Sequence, residues 1–196
     1  MARLKPLDPS AFSPDLQAFL GPAALADPAK LGVLRIWAQR PDIAIAYRTF
    51  IQAILANAVL PRRLIELLRI RIAFHNQCRS CMAIRYRPGV EEGVTEDLVC
   101  ELAAPEEATD LTERERAALH YADLVATNHL AISDATFDRL REHFTEPEIV
   151  ELAMHIGYCV GFGRIAMSWD MVDDLPDRFK DRSGPITPWG GDATVV

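Results

Sequence analysis

From residue 41 to residue 173 the apolar residues recur at helical spacing, and this pattern constrains the fold more than any other feature. Capping residues mark three helix starts in this region, namely Thr112 with Glu115, Ser133, and Thr145 with Glu148. No segment alternates strictly enough between apolar and polar residues to be a confident strand. The sequence therefore predicts an all-α fold.

The chain of 196 residues is long enough for one domain with a substantial core. Residues 1–40 are interrupted by prolines and are expected to be an arm with short helices, one of them capped by Ser13 and stopped by Gly21. Residues 41–173 are expected to form the helical domain. Residues 174–196 are rich in proline and glycine, and we expect a tail that orders only against a partner subunit.

Two helices are expected before the first cysteines, over residues 42–59 and, with Pro61 in its first turn, over residues 62–74. The stretch "HNQ" is expected to interrupt the second helix, with Asn76 as the N-cap of a third helix over residues 77–86. In the last helix, Gly157 and Gly161 suit either a close helix–helix contact, within the chain or between subunits, or a kink.

The formal net charge is −7, which argues against nucleic-acid binding and against docking on an anionic membrane. No apolar run follows the basic residues near the start, so no signal peptide is expected. The most apolar segment, residues 42–60, is interrupted by Arg48, Gln52 and Asn57 and is expected to be a buried helix. We therefore expect a cytoplasmic protein with no membrane or nucleic-acid partner, whose four cysteines are thiols, redox groups or ligands.

Cys78 and Cys81 are separated by two residues, and three chemistries fit that spacing. They can form a reversible disulfide, supply half of a zinc site, or pack as two small apolar side chains. Zinc would need two more ligands, whereas Cys100 and Cys159 are isolated and no His-x₃₋₅-His is present. No metal and no cofactor are expected, and Cys100 and Cys159 are expected to be inert packing thiols.

The redox interpretation has a physical basis. If Asn76 caps a helix, Cys78 and Cys81 lie in its first turn and a half, where the unpaired N–H groups and the helix dipole favour a thiolate. Arg79 and Arg85 add positive charge, and Arg85, four residues after Cys81, would share its helix face. A thiolate attacks peroxides and disulfides, and a second cysteine resolves the product.

Glu66 lies among apolar residues twelve positions before Cys78. A carboxylate beside a core face can act as a proton acceptor. The alternative is an ion pair with Arg62, Arg63 or Arg69, which the spacing alone favours.

Glu66, Cys78 and Cys81 within "PRRLIELLRIRIAFHNQCRSC" resemble the core motif of the AhpD-like / carboxymuconolactone decarboxylase family. The stretches "LTERERAALHYADLVA" and "ISDATFDRLREHFTEPEIVELAMHIGY" resemble that family's later helices, so the resemblance covers about residues 40–172. It implies an all-α, AhpD-like helical domain that forms a homo-oligomer, a trimer or a hexamer.

The AhpD-like members of this family are thiol-dependent peroxidases. The resemblance implies that Cys81 is the peroxidatic cysteine, that Cys78 is the resolving one, and that Glu66 belongs to a proton relay. It also implies a small hydroperoxide as substrate and an external lipoyl- or thioredoxin-like dithiol as reductant. The decarboxylase branch lacks the cysteine pair, so the pair favours the thiol branch.

The sequence departs from the family's peroxidase motif at Arg85, where that motif has a histidine four residues after the second cysteine. Arginine cannot exchange protons near neutral pH, because its pKa exceeds about 12. His75 is the nearest residue that could rebuild the relay, and it is equally well explained as a residue with no proton to move. His155 is expected to be a hydrogen-bonded core histidine.

Two functions follow as predictions. The first is a thiol-dependent peroxidase or dithiol–disulfide oxidoreductase in antioxidant defence, with Cys81, Cys78, Glu66, His75 and Arg85 at its site. The alternative is a non-catalytic or redox-sensing oligomeric member of the family whose proton relay is incomplete.

Overall fold

The computed structural model describes residues 2–27, 31–189 and 191–196, and the predicted all-α fold is confirmed there. The helices are α1 (Pro14–Leu25), α2 (Leu34–Trp37), α3 (Pro41–Ala56), α4 (Arg62–Asn76), α5 (Arg79–Met82), α6 (Arg87–Glu91), α7 (Glu96–Glu101), α8 (Glu113–Thr127), α9 (Asp134–Arg141), α10 (Glu146–Trp169) and α11 (Asp177–Lys180). Short 3₁₀ turns span Pro9–Ala11 and His129–Ala131. Two strands, β1 (Ile84–Arg85) and β2 (Thr194–Val195), pair in parallel. Residues 28–30 of the predicted N-terminal arm lie outside the described residues.

The three predicted capping signals begin helices, as expected. At the start of α8, Thr112 Oγ1 accepts a hydrogen bond from the Glu115 N–H at 3.2 Å, and the Thr112 N–H donates to Glu115 Oε2 at 2.8 Å. The same reciprocal arrangement starts α9 at Ser133 and α10 at Thr145. These bonds satisfy backbone donors that the first turn of a helix leaves unpaired.

Helix α4 lies at the centre of the domain, between α8 and α10. Its side chains are buried on most of its circumference, including Leu64, Leu67, Leu68, Ile70 and Ile72. The neighbouring helices add Leu98, Leu102, Leu119, Leu152 and Ile156 to this core. Because α4 carries both Glu66 and His75 and leads directly into the cysteine pair, the core fixes the position of the candidate site.

The N-terminal arm packs on α3 through a second, smaller cluster of Phe12, Leu16, Leu34, Ala38 and Ala44. The prediction that residues 42–60 form a buried helix is wrong, because Ala44 is the one buried residue among the described residues of α3. Ser13 caps α1 by accepting from the Leu16 N–H, as predicted. Gly21 has a φ of 76° and interrupts the helical conformation, after which the chain resumes a short helical turn to Leu25.

The prediction that Asn76 caps a third helix is wrong. Helix α4 continues through Asn76 and ends at Gln77, which has a left-handed φ of 51°. The buried amide of Asn76 instead donates to the Cys159 carbonyl oxygen of α10 at 2.9 Å. Gly163 permits this contact, because a Cβ there would lie 2.4 Å from Asn76 Nδ2.

The prediction that the C-terminal tail orders only against a partner subunit is also wrong. Phe179 of α11 is completely buried in its own chain. The Thr194 N–H donates to the Ala83 carbonyl oxygen at 2.8 Å, and the Val196 N–H donates to that of Arg85 at 2.9 Å. Arg178 donates to the carbonyl oxygens of Thr187, Trp189 and Gly191. The tail therefore makes backbone hydrogen bonds, and buries the Phe179 side chain, within one subunit.

Helix α10 is the one described helix that is long and apolar enough to cross a membrane, by length and composition only. Core helices of water-soluble proteins pass the same test, and α10 packs along α4. One third of its most apolar 18-residue window is buried, so much of its apolar surface is uncovered in the single chain.

Candidate redox site

Cys78 and Cys81 form a disulfide, with an S–S distance of 2.09 Å and a Cα–Cα distance of 5.2 Å. Cys78 is the N-cap of the four-residue helix α5, and Cys81 is the third residue of that helix. The left-handed turn at Gln77 brings the Cys78 N–H to the Ala73 carbonyl oxygen, which seats the pair on the end of α4. The disulfide-bonded pair therefore lies where the end of α4 meets the start of α5.

The two sulfurs differ in access to solvent. Cys78 is completely buried, whereas Cys81 is partly accessible. Cys81 contacts an apolar cluster that includes Phe179, Leu175 and Ile186 of the tail. A reagent from solution therefore reaches Cys81 more readily than Cys78.

Glu66 forms the ion pair that the spacing favoured, and its partner is Arg69. Its carboxylate accepts from Arg69 Nη2 at 2.6 Å and from Arg69 Nε at 2.8 Å, and it also accepts from the Tyr86 N–H at 3.0 Å. Glu66 is 2% exposed. Gly89 lets α6 approach this carboxylate's stem, because a Cβ at position 89 would lie 2.6 Å from Glu66 Cβ.

Arg69 connects Glu66 to residues 77–85, which contain the two cysteines and are called the cysteine segment below. Its Nη1 donates to the Cys81 carbonyl oxygen at 2.6 Å, and its Nη2 donates to that of Ile84 at 2.8 Å. Burial alone would lower the pKa of Arg69, but the Glu66 carboxylate outweighs burial and raises it. Arg69 is thus a permanent cation that holds the backbone on the C-terminal side of the dithiol.

His75 lies in the last turn of α4, with its Nε2 2.7 Å from Asp123 Oδ1 on α8. Arg71 donates to both oxygens of the same carboxylate, at 2.8 and 2.9 Å. Burial would raise the pKa of Asp123, but the hydrogen bonds from His75 and Arg71 hold it below its usual value. The structure therefore couples His75 to a carboxylate that lies far away in the sequence.

The prediction that Arg85 shares a helix face with Cys81 is wrong. Helix α5 ends at Met82, so Arg85 lies on strand β1, where it is 2% exposed. Its guanidinium donates to both Glu96 oxygens, at 2.9 and 3.1 Å, and to the Pro188 carbonyl oxygen at 2.7 Å. The Arg85 side chain therefore binds the tail and α7, because the backbone is extended where a helix was expected.

The expectations for His155, Cys100 and Cys159 have different outcomes. His155 is confirmed as a hydrogen-bonded core histidine, since it is 1% exposed and its Nδ1 lies 3.1 Å from the Tyr158 hydroxyl. The expectation that Cys100 packs inside is wrong, because its position on the short helix α7 faces solvent. Cys159 is partly buried, and desolvation raises the pKa of its thiol to about 12. No group of three or more metal-binding side chains occurs among the described residues.

The sequence does not indicate two residues of the candidate site. Arg69 is one of three possible ion-pair partners of Glu66, and nothing in the spacing predicts its bonds to the Cys81 and Ile84 carbonyl oxygens. Asp123 lies 48 residues beyond His75, and no local pattern connects the two. The available signal is that Asp123 lies on the face of α8 that packs against α4. That face is known only once the helices are docked.

The carboxymuconolactone decarboxylase family model matches residues 41–124. Two related sequences from Mycobacterium tuberculosis, the uncharacterized proteins MT2376 and Rv2313c, are each 31% identical over 123 residues, which is 61% of this chain and 43% of theirs. The chain thus spans less than half the length of these relatives. The uncharacterized protein YdfG of Bacillus subtilis is 27% identical over 104 residues, covering 53% of this chain and 71% of its own.

Three solved structures share the fold. An uncharacterized peroxidase-related protein with an alkylhydroperoxidase AhpD core, from Ralstonia eutropha, has a TM-score of 0.74 at 22% identity, over 91% of this chain and 94% of its own. A putative antioxidant defence protein AhpD from Agrobacterium tumefaciens has a TM-score of 0.59 at 25% identity, over 67% and 90%. The debrominase Bmp8 has a TM-score of 0.70 at 20% identity, over 86% and 90%. This fold therefore serves more than one reaction.

Proposed function

Because residues 41–124 of this chain belong to the carboxymuconolactone decarboxylase family, we propose that it is a dithiol–disulfide oxidoreductase that reduces hydroperoxides in antioxidant defence. The observation that carries the proposal is the disulfide itself, with Cys78 buried and Cys81 partly accessible. A peroxidatic thiol must meet its substrate, whereas a resolving thiol needs only to reach its neighbour. The asymmetry supports our proposal that Cys81 attacks the hydroperoxide and that Cys78 resolves the product.

The proposed reaction begins with the reduced dithiol. The Cys81 thiolate attacks one oxygen of the hydroperoxide, the O–O bond breaks, and the alkoxide leaves and takes up the proton that Cys81 had released. The Cys78 sulfur then attacks the Cys81 sulfenic acid, and the hydroxide that leaves combines with the Cys78 proton to form water. One hydroperoxide becomes an alcohol and water, and the dithiol becomes the disulfide. An external lipoyl- or thioredoxin-like dithiol returns two electrons and two protons.

The structure supports a positioning role for Glu66 in this reaction. Its carboxylate is occupied by Arg69 and the Tyr86 N–H, and Arg69 in turn holds the Cys81 carbonyl oxygen. His75 and Asp123 remain our candidates for moving a proton, because a histidine oriented by a carboxylate is a common acid–base arrangement. Arg85 is assigned to anchoring the tail rather than to the thiolate.

We further propose a homo-oligomer that buries the uncovered face of α10. Val150, Met154, Gly157, Gly161 and Ile165 follow one another at three- and four-residue spacing on α10, and all are exposed. No described atom lies within 4 Å of a Cβ built at Gly157 or Gly161, so a partner helix has room to approach closely there. An apolar stripe with small residues at its middle suits a second copy of the same helix.

The alternative function, redox sensing without turnover, is favoured by one observation. The tail binds on both sides of Cys78, since the Gln77 side chain bonds both the N–H and the carbonyl oxygen of Ile186 and Arg79 donates to the Gly184 carbonyl oxygen. A change at the dithiol could therefore be transmitted to the tail. Hydrogen exchange of residues 174–196 in the reduced and the oxidised protein measures this coupling, and sensing without turnover requires faster exchange in one state.

Peroxide reduction is tested directly in a stopped-flow assay with cumene hydroperoxide and prereduced protein. We expect wild type to lose two thiols for each peroxide consumed, and Cys78→Ser to consume one equivalent and stop as a sulfenic acid that dimedone traps. Cys81→Ser should be slower by at least about 10³-fold, as is usual when a nucleophile is removed. Cys100→Ser, at the exposed cysteine on α7, is the matched control. Equal and negligible turnover in wild type and Cys81→Ser would end the proposal.

A further inference from the structure

A groove of about 340 Å³ lies beside the dithiol, between the cysteine segment, the C-terminal end of α10 and the tail. We name it the Ser80 groove. Its apolar lining consists of Ala166, Met167, Met171, Val172 and Pro185. Its polar lining includes Arg79 and Ser80 from the cysteine segment, together with Arg3, Asp170 and Arg182.

Arg79, the residue after Cys78, lines this groove and carries a hydrogen-bond donor that no described acceptor uses. Its Nη2 donates to the Gly184 carbonyl oxygen at 2.9 Å, whereas its Nη1 is buried and has no hydrogen-bond partner in the described part of the chain. A buried cationic N–H without an acceptor is costly, and native structures normally provide one. Because Arg79 lines the groove, a ligand that brings an acceptor would satisfy this enclosed donor once the Arg79 side chain turns towards it.

The carboxylates near Arg79 are engaged elsewhere. Asp181 accepts from the N–H and the hydroxyl of Ser183, at 2.8 and 3.0 Å, and these bonds lower the pKa of Asp181. Asp170 accepts from Arg182 Nε at 2.8 Å. Arg79 is thus a cation of the Ser80 groove with an N–H that no described acceptor uses, and the more exposed Arg3 and Arg182 add positive charge to the same groove.

The groove also adjoins the sulfurs. Ser80 lies between the two cysteines, and its hydroxyl oxygen is 3.5 Å from Cys78 Sγ. A molecule seated against Ser80 is therefore one side chain away from the disulfide. Five apolar residues and a cationic side chain in one groove match a molecule with a short apolar body and one anionic group.

We propose that the Ser80 groove binds small amphipathic carboxylates through Arg79, so that the hydroperoxides reduced by this dithiol carry a carboxylate on a short apolar chain. A planar guanidinium suits a carboxylate, and the modest volume excludes a long lipid. The substrate assignment rests on the proposed peroxidase function, whereas binding of the carboxylate does not.

Binding is tested on the oxidised protein, where no turnover occurs. Titration calorimetry should show that octanoate binds wild type at least about tenfold more tightly than octanamide, which is the usual effect of a hydrogen bond to a charged group. Arg79→Gln should remove that preference and Arg79→Lys should keep part of it. Arg139→Gln, at a half-exposed arginine on α9, is the matched control and should keep all of it. Equal affinities in wild type, or a preference that survives in Arg79→Gln, would refute the proposal.

The kinetic arm compares cumene hydroperoxide with its para-carboxylate. We expect kcat/KM to be at least about tenfold higher for the carboxylate in wild type, and the two values to converge in Arg79→Gln. If octanoate binds as expected but neither peroxide is consumed, the groove assignment stands and the peroxidase function fails. If both peroxides are consumed equally, the peroxidase function stands and the groove assignment fails.

Discussion

Glu66 and Arg69 form a buried, two-bond ion pair one helical turn apart on α4, and the arginine extends that pair to the carbonyl oxygen of Cys81. The pair therefore holds the backbone beside the dithiol in place, whether or not Glu66 also transfers a proton. A carboxylate that holds an arginine can be distinguished by experiment from one that shuttles protons.

The first prediction concerns Glu66→Gln. Loss of the carboxylate leaves the Arg69 charge buried without its counter-ion, so the free energy of unfolding should fall by about 3 kcal/mol. Urea denaturation measures this change. Glu113→Gln removes an exposed carboxylate that pairs with Arg116 at the same three-residue spacing, and it should cost less than about 0.5 kcal/mol. A Glu66→Gln protein with wild-type stability and slow turnover would favour the proton relay instead.

The second prediction concerns thiol reactivity. Because desolvation raises the pKa of Cys159 to about 12, only about one molecule in 10⁵ carries its thiolate at pH 7. Brief treatment of the reduced protein with iodoacetamide at pH 7 should modify Cys81 and the exposed Cys100 and leave Cys159 unmodified. Peptide mass spectrometry identifies the sites. Modification of Cys159 at the rate of Cys100 would contradict the assigned environment.

The third prediction concerns Arg85→His, which restores the histidine of the family's peroxidase motif. Position 85 lies on β1 and faces Glu96 and the tail, so we expect no gain in peroxide turnover. We also expect a loss of about 1–3 kcal/mol in the free energy of unfolding, because histidine cannot replace the buried hydrogen bonds that Arg85 donates to the carbonyl oxygens of Met82 and Pro188. Arg87→His, at an exposed position two residues further on, is the control. A faster peroxidase would show that the segment rearranges to place the new imidazole at the thiol.

The fourth prediction concerns pH. Burial lowers the pKa of His155 below its usual 6.5, against the opposing effect of Glu151. The unfolded chain therefore binds a proton at this histidine as the pH falls below about 6.5, while the native protein does so only at lower pH. The stability that His155 contributes is complete above pH 6.5 and declines as the pH falls towards the native pKa.

Urea denaturation at pH 7.5 and pH 5.5 tests this sign. The slope of the unfolding free energy with pH should be smaller in His155→Gln than in wild type, by at most about 1.4 kcal/mol per pH unit for one proton. His129→Gln changes an exposed histidine and should leave the slope as it is. An identical slope in wild type and His155→Gln would mean that His155 titrates alike in both states.

The fifth prediction concerns assembly. Gly161→Arg places a long cation in the middle of the exposed stripe on α10, where no described atom lies near its Cβ. It should convert the proposed oligomer to monomers without unfolding them. Light scattering coupled to gel filtration measures the mass, and circular dichroism checks the fold. Arg139→Gln should assemble like wild type, whereas an unchanged mass for Gly161→Arg would place the interface on another surface.

Local sequence patterns determined the helices and most of their starts. Thr112, Ser133 and Thr145 begin helices because a cap and its partner lie three residues apart, within reach of one turn. The spacing of Cys78 and Cys81 determined that the two sulfurs could meet, and the spacing of Glu66 and Arg69 allowed their ion pair, because neighbours on a helix are set by its pitch.

Only the tertiary structure decided the surroundings of these residues. Asn76 binds α10 instead of capping a helix, His75 is hydrogen-bonded to Asp123, and Arg85 binds the tail. Local spacing does not predict these contacts, because each partner comes from a distant part of the chain. The Ser80 groove likewise exists only where α10 and the tail meet the cysteine segment. Helical spacing specifies neighbours within a few residues, whereas long-range contacts depend on how the helices and the tail dock on one another.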